Sequence, residues 1–467
     1  MSKTFRPWNV DQPLELPRSI FEFVPVGHVA HFVRNLVREQ FDLSPILDSY
    51  TQMRGYPPFH PAMMTALLLY AYSQGVYSSR KIAQGCENRL DFLAVTAMDR
   101  PDHRTISRFR RRHLSALGGL FVQILQLCQK AGLAELGHVS LDGTKIKANA
   151  SKRKAMSYGR MVKTEAELET AVATWLSRAA TADDGEDAEL GEARGDETPA
   201  WMADKTQRLA KIKEAKAALE AEARAKAEAK EKEKEKAAAE REGRKPRRKQ
   251  KGKKPRPDKE GAETEAAPEA SCDPKPDDKA QRNFTDPESR IMKGPDGFLQ
   301  GYNAQAVVDA KAQVILAHGL TDCSADSGAL VDMVAAVKAN MGRAPEQFSA
   351  DAGYCSDANL AALEAEGIDA YVATGRHKHG APAPDGGSPA PEGSRIDKMR
   401  AKLRKDGFKS PYRLRKQTVE PVFGQIKAGR GFRQFLLRGK AKVADEWAMI
   451  CSAHNLLKLA KASAQPA

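Results

Sequence analysis

The chain has 467 residues, too many for one ordinary core, which predicts two or three domains. Lysine and arginine (75) outnumber aspartate and glutamate (61), and a net charge of +14 points to a polyanionic partner, usually nucleic acid, although surplus charge also serves solubility. Six scattered cysteines without a CxxC pair exclude a disulfide framework and a cysteine zinc site, and the longest apolar stretch (62–72) is roughly half of what spans a bilayer.

Residues 1–130 read as a helical domain. HPAMMTALLLYAYSQG, from His60, is apolar nearly all round and predicts a buried helix. HRTISRFRRRH follows Pro101-Asp102, with Asp102 or Thr105 as the capping side chain and Ile106 and Phe109 as the core stripe. Arg104, Arg108, Arg110, Arg111 and Arg112 make the rest of that helix basic. HVSLD predicts a short strand ending at Asp142.

Residues 161–282 differ in kind. Ala, Glu and Lys dominate the middle, which suits either a solvated helix held by i,i+4 pairs or a short coiled coil around Leu209, Ile212 and Leu219. A Lys/Arg/Pro run at 244–256 follows, able either to hold a polyanion or to act as a solvated linker. This stretch reads as an insertion, because strand-like sequence resumes at Gln300. QGYNAQAVVDAKAQVILAHGLT predicts a hairpin turning at Asp309–Ala312. A helix is expected over 328–341, a strand QFSAD ending at Asp351, a helix capped by Ser356, and a strand DAYVAT. Residues 376–410 read as a Gly/Pro-rich loop, in which His377 and His379 lack the partners of a metal site. Helices close the chain at about 411–430 and 444–462. The order predicts an α/β fold with a mixed sheet and an antiparallel hairpin on one side.

Three acids stand where chemistry is expected. Asp142 and Asp351 end strands, where side chains project into the crevice in which open α/β sheets bind ligands. Glu420 lies in the last helical region, and three carboxylates are suited to a hard cation. Each also has an ordinary reading: Asp142-Gly143 as a turn, Asp351 as a helix cap, Glu420 as a surface charge.

Taken together, LDGTKIKANASKRKAMSYGRM, NFTDPESRIM, GYNAQAVVDA, ADAGYCS and VEPVFGQIKAGRGFRQFLLRG, behind FHPAMMTALLLYAYSQGVYSSRKIA and PDHRTISRFRRRH, occur in an order that resembles the DDE-type transposases of bacterial insertion sequences. The resemblance covers most of the chain. It is narrower to the IS-five superfamily and its IS-eleven-eighty-two-like members. It implies an RNase H-like core and a helical DNA-binding domain ahead of it. It also implies a catalytic and metal-binding set of Asp142, Asp351 and Glu420, holding Mg²⁺ or Mn²⁺ as two ions about 4 Å apart. The partners implied are transposon-end and target DNA, with a homodimer in the synaptic complex, no membrane, and a cytoplasmic, nucleoid-associated location. The family signature places a tyrosine, a basic residue and a lysine around the glutamate. Tyr412 and Lys427 fit, while the basic role falls on Arg415 or Lys416, because the spacing is one residue off. Pro421 predicts a kink or a helix that starts there. DNA contacts are expected from Arg104, Arg108, Arg111, Arg112, Arg415, Lys416, Lys427, Arg430 and Arg433. Competing readings are a nuclease or junction resolvase on the same core, a transposase-derived binding protein without catalysis, and a coiled-coil scaffold on 205–240.

Overall fold

The computed structural model describes residues 19–51, 58–186, 200–242, 275–294, 297–375, 393–406 and 410–464. The basic run 244–256, Cys272 and the His377/His379 segment lie outside these residues. The five described cysteines carry free thiols, and no described helix is long and apolar enough to cross a membrane.

Two compact units emerge, one of residues 1–150 with 288–467 and one of residues 151–287. The first begins with helices α1 (Val29–Glu39), α2 (Ser44–Leu47), α3 (Pro61–Ser73), α4 (Ser79–Asn88), α5 (Leu90–Thr96), α6 (His103–Arg112) and α7 (Leu114–Lys130). In α3 every residue from Met64 to Ser73 is buried, so its all-round apolarity is used on all sides. His60 caps it through Nδ1, accepting from Ala62 N, and Pro61 at the first position forfeits an amide that has no partner there anyway. Asp102 caps α6 by accepting from Arg104 N at 2.9 Å and Thr105 N at 3.4 Å, while Ile106 and Phe109 turn inward. These helices do not stand apart from the sheet. A single apolar core runs from Val33 and Leu67 through Ile124 to Val139, Val307 and Phe348.

The sheet holds β1 (His138–Lys147), β4 (Arg290–Gly294), β5 (Gly297–Asp309), β6 (Ile315–Thr321), β7 (Gln347–Ala350) and β8 (Asp369–Val372); β2 (Ala155–Ser157) and β3 (Gln281–Asn283) pair in the other unit. β5 lies antiparallel to β1, β4 and β6, whereas β1, β7 and β8 run parallel. The path β6-β5-β1-β7-β8 is a mixed sheet consistent with an RNase H-like core. Helices α10 (Leu330–Met341), α11 (Asp357–Ala365), α12 (Arg395–Asp406), α13 (Leu414–Gly424) and α14 (Lys440–Ser463) complete this unit. In α14, Asn455 accepts from Ile315 N and donates to Ile315 O, both at 2.8 Å, and Trp447 donates to Gln305 O at 3.0 Å, tying the last helix to β5 and the start of β6.

The second unit pairs α8 (Tyr158–Glu186) with α9 (Ala200–Glu242). Tyr158 and Met161 meet Ile212, Ala215 and Leu219 in a small core of their own. The ion pairs Lys216–Glu165 and Lys213–Glu169, both 2.7 Å, cross between the two helices beside this core.

Three expectations are corrected. β1 does not end at Asp142. It continues to Lys147, because β5 goes on pairing with it from Gly143↔Gln305 to Lys147↔Gly301. Residues 395–406 are helical, as their Lys, Arg, Ala, Met and Leu content favours, not part of a loop running to 410. Of the two readings of Pro421, the helix that starts there is excluded, because α13 starts seven residues before it and passes through it. The carbonyl of Gln417, which loses its helical donor at Pro421, accepts instead from Gln313 Nε2 at 3.1 Å.

Gly301 sits where a Cβ would lie 2.4 Å from the Ile146 carbonyl oxygen, so only glycine lets β5 follow β1 this far. Gly301→Ala is expected to cost about 1–3 kcal/mol through forced backbone displacement. Thermal unfolding checks this, and an unchanged midpoint would remove the steric argument.

Candidate active site

The two edges of β1 are unequally used. One is paired with β5 throughout. The other pairs with β7 only to Leu141↔Ala350 and resumes at Lys147, which takes a backbone bond from Phe435 N at 2.9 Å and donates to Arg433 O at 3.3 Å. Asp142 opens that interruption. Asp351 stands one residue beyond the last pair on β7, so the two carboxylates leave neighbouring parallel strands at equivalent positions, on one face. Asp351 caps the turn Ala352–Tyr354, accepting from Ala352 N at 2.6 Å.

Arg415 projects from α13 into this place. It is buried, at 8% side-chain exposure. Its Nη1 donates to Asp142 Oδ2 at 2.9 Å, and its Nη2 lies 3.6 Å from Glu420 Oε1. The guanidinium therefore spans the first and third predicted acids. A buried cation is tolerated only when opposite charge surrounds it. Burial works against the Arg415 charge, but Tyr412, Asp142 and Asp351 outweigh it and raise its pKa. One guanidinium does not satisfy all the carboxylates. Burial pushes the Asp142 carboxyl up to about 6 against the pull of Arg415 and the Gly143 amide, and Asp351 and Asp326 push it further. Glu420 remains half exposed.

Asp326 is a fourth acid here that the sequence reading missed. It accepts from Asn303 Nδ2 at 2.6 Å and Gln305 Nε2 at 3.1 Å, and Lys145 Nζ lies 3.5 Å away. Tyr354 hydrogen-bonds to Gln305 Oε1, which links this network to the turn carrying Asp351. Asp142-Gly143 is strand and not a turn, and a Cβ on Gly143 would fall 2.4 Å from Gln305 Nε2 and 2.9 Å from Asp326 Oδ1, displacing this network. The available signal was Asn303 and Gln305, two polar residues two apart in a strand and therefore on one face. Asp326, in an irregular connection, had none.

The basic residues divide. Of the two candidates beside Glu420, Arg415 meets Asp142 and Lys416 is exposed. Lys427 turns to β1, bonding Thr144 Oγ1 and, at 2.9 Å, Lys145 O; burial lowers its pKa, helped by Arg433 and Lys145. Arg430 also points inward, to His454 Nδ1 at 3.2 Å, and its carbonyl accepts from Tyr77 Oη at 3.0 Å. Both follow from the wider i→i+5 turn at Gln425–Gly429, which rotates the chain after α13. Arg433 is exposed. On α6, Arg104, Arg108, Arg111 and Arg112 are exposed, and Arg112 donates to Ser49 O at 2.6 Å. Arg110 is buried as a structural group, donating to Tyr77 O at 2.8 Å.

Residues 18–112 match a family model described as Transposase domain (DUF772), and residues 391–460 match one described as Transposase DDE domain. The chain is a DDE-type insertion-sequence transposase. No curated protein and no solved structure matches it. In this transposase the second match contains Arg415, Glu420 and Lys427, the first contains α6, and Asp142 and Asp351 lie outside both.

The sign of the Asp142 contribution to stability follows from its raised folded pKa. Its favourable part is complete below about 4 and is lost as pH rises through about 6, where the ionised group is the disfavoured one. In metal-free buffer, Asp142→Asn is expected to lose less stability than the parent between pH 4 and 7. Thermal midpoints measured across that range check it, and parallel curves for the two proteins would contradict it.

Proposed function

We propose that this DNA transposase binds the terminal inverted repeats of its element and catalyses metal-dependent strand cleavage and strand transfer, with Asp142, Asp351 and Glu420 as catalytic carboxylates. The observation that carries the reading is that Asp142 and Asp351 each follow the last pair of β1 and β7, with Arg415 reaching from Asp142 to Glu420. The donor set suits Mg²⁺ or Mn²⁺, which prefer hard oxygen ligands. Beyond burial, Asp351 and Asp326 also disfavour the ionised Asp142 against the pull of Arg415, which a bound cation would relieve. Among the described residues no three acids, histidines or cysteines stand close enough to hold an ion as they are. Arg415 must therefore yield Asp142 or Glu420 for all three carboxylates to share a site.

Asp142, Asp351 and Glu420 would hold the ions, whose chemistry is to polarise the phosphate and to acidify the attacking water or 3′-hydroxyl. The chain's own part is placement. Asp351 is fixed by its turn, Asp142 by the ladder of β1 with β5 and by Arg415, and Arg415 supplies positive charge beside the reacting phosphate. Exposed Lys416 and Arg433 flank the cut, while Arg104, Arg108, Arg111 and Arg112 face the repeat. Lys427 and Arg430 hold the segment after Glu420 in position. Pairing of two ends would engage two copies of the chain. The motif order favours the IS-five superfamily.

Asp142→Asn, Asp351→Asn and Glu420→Gln are each expected to reduce cleavage of an end duplex by at least about 10²–10³-fold while leaving duplex binding intact. Normal cleavage by any one variant removes that residue from the set. The Arg415 pairing also suits a second reading, a transposase-derived binding protein without catalysis. That reading is correct if the parent binds ends yet cuts none with Mg²⁺ or Mn²⁺.

A further inference from the structure

We infer that Gln313, at the tip of the β5–β6 hairpin, is a positioning residue for the helix that carries Arg415 and Glu420, supplying from outside the hydrogen bond that Pro421 denies that helix. The inference rests on the reading above that Glu420 is catalytic. It begins from the backbone. Gln313 has a positive φ of 60°. A tight turn that needs this conformation ordinarily takes glycine, asparagine or aspartate, because a longer L side chain adopts it at a cost. A glutamine in that position points to a use for its side chain.

Both polar atoms of that side chain engage the chain on either side of Glu420. Nε2 donates to the Gln417 carbonyl at 3.1 Å, ahead of Glu420 on α13. Oε1 accepts from Gln425 Nε2 at 3.1 Å, just past the end of α13, and from Lys458 Nζ of α14 at 3.0 Å. A carbonyl facing Nε2 and an ammonium facing Oε1 fix which way round the amide lies. The main chain of Gln313 adds a further tie. Its carbonyl accepts from His454 Nε2 at 2.8 Å, and His454 Nδ1 accepts from Arg430 Nη2 at 3.2 Å. This arrangement needs a neutral imidazole, and burial, with Arg430 beside it, pushes the His454 pKa down to about 3. Gln417, Gln425 and Arg430 are thus all referred to one residue.

An arm sets a position only if its own base is held. Asp309, buried at the end of β5, accepts from Glu135 N at 3.1 Å, Leu136 N at 2.9 Å and Lys311 N at 2.8 Å, and its carbonyl accepts from Gln313 N at 3.1 Å. On the other side of Gln313, Asn455 bonds both the amide and the carbonyl of Ile315. The chain leading into β1 therefore holds the hairpin tip, and the tip holds α13. In a regular helix the Gln417 carbonyl would accept from the amide of residue 421, which proline lacks. The missing bond spans Glu420, and helices bend where such a bond is lost. Gln313 replaces it with a donor that is fixed to the sheet, so the direction of Glu420 is set from β5 and β6 and not by α13 alone.

The test uses the full chain and an end duplex with Mg²⁺, and reads the single-turnover cleavage rate, the duplex affinity and the thermal midpoint together. Gln313→Glu keeps the side-chain length and the acceptor for Gln425 and Lys458, but once ionised it has no hydrogen to give Gln417. Gln313→Gly removes the side chain and leaves the turn without strain. Each is expected to cut at least about tenfold more slowly than the parent. Duplex affinity should stay within about twofold, and the midpoint of Gln313→Gly within roughly 4 °C. In a Pro421→Ala chain the amide of residue 421 donates to Gln417 itself. That chain is expected to cut, and adding Gln313→Glu or Gln313→Gly to it should cost less than about threefold. A glutamine that only packed the hairpin would lose affinity and stability along with rate, and equally in both backgrounds. Parent-rate cleavage by either single variant, a fall in affinity that matches the fall in rate, an inactive Pro421→Ala chain, or an equal loss with and without Pro421 overturns the inference. A parent that cuts no end, or a Glu420→Gln variant that cuts normally, removes the functional reading and the inference with it.

Discussion

The structure depends on how β1 is flanked. Along one edge it is bonded to β5 over its whole length. Along the other it is bonded to β7 as far as Leu141 and then, beyond a gap, to the segment at Phe435. A strand held by a continuous ladder on one side keeps its position when the ladder on the other side stops. The interruption therefore places Asp142 without flexibility, one step beyond the point where β7 releases Asp351. The chain after Glu420 closes the far end of the same interruption, so all three acids are referred to one strand.

Charge is the second constraint, and it pulls against the first. Asp142 and Glu420 share one buried guanidinium, which Asp351 also influences, and Asp326 lies beside Lys145. Removing one partner of such a pair typically costs about 3–5 kcal/mol, which makes Arg415 a strong organiser of α13. Burial nonetheless leaves Asp142 disfavoured as an anion, and Asp351 and Asp326 add to this. An arrangement selected only for stability would balance these charges or replace them with apolar groups. Carboxylates gathered beside a cleft, one of them disfavoured as an anion, are what a site that recruits cations requires.

Much of this was legible in the sequence, and what was missed has specific physical causes. Asp102 and Ser356 are caps that act through their immediate neighbours, so a local pattern suffices to find them. The hairpin at Asp309 and the strand before Asp351 are marked by β-rich runs broken at polar residues. Asp142-Gly143 misled because the same dipeptide serves a turn and a strand whose neighbouring side chains crowd the glycine; only the position of β5 separates the two. Arg415 and Lys416 are adjacent and both cationic, and the choice between them depends on which one α13 turns toward Asp142. The inward rotation of Lys427 and Arg430 comes from a wide turn that no residue type announces. Asp326 acquires its role wholly from Asn303 and Gln305, which stand on a strand well before it in the chain.

The central claim is that Asp142 and Asp351 form one cation-binding centre. Electron paramagnetic resonance can count Mn²⁺ bound by the chain in complex with an end duplex. The account predicts uptake by the parent that is lost on Asp142→Ala and equally on Asp351→Ala, with folding and duplex binding retained. Undiminished uptake by either variant would contradict it.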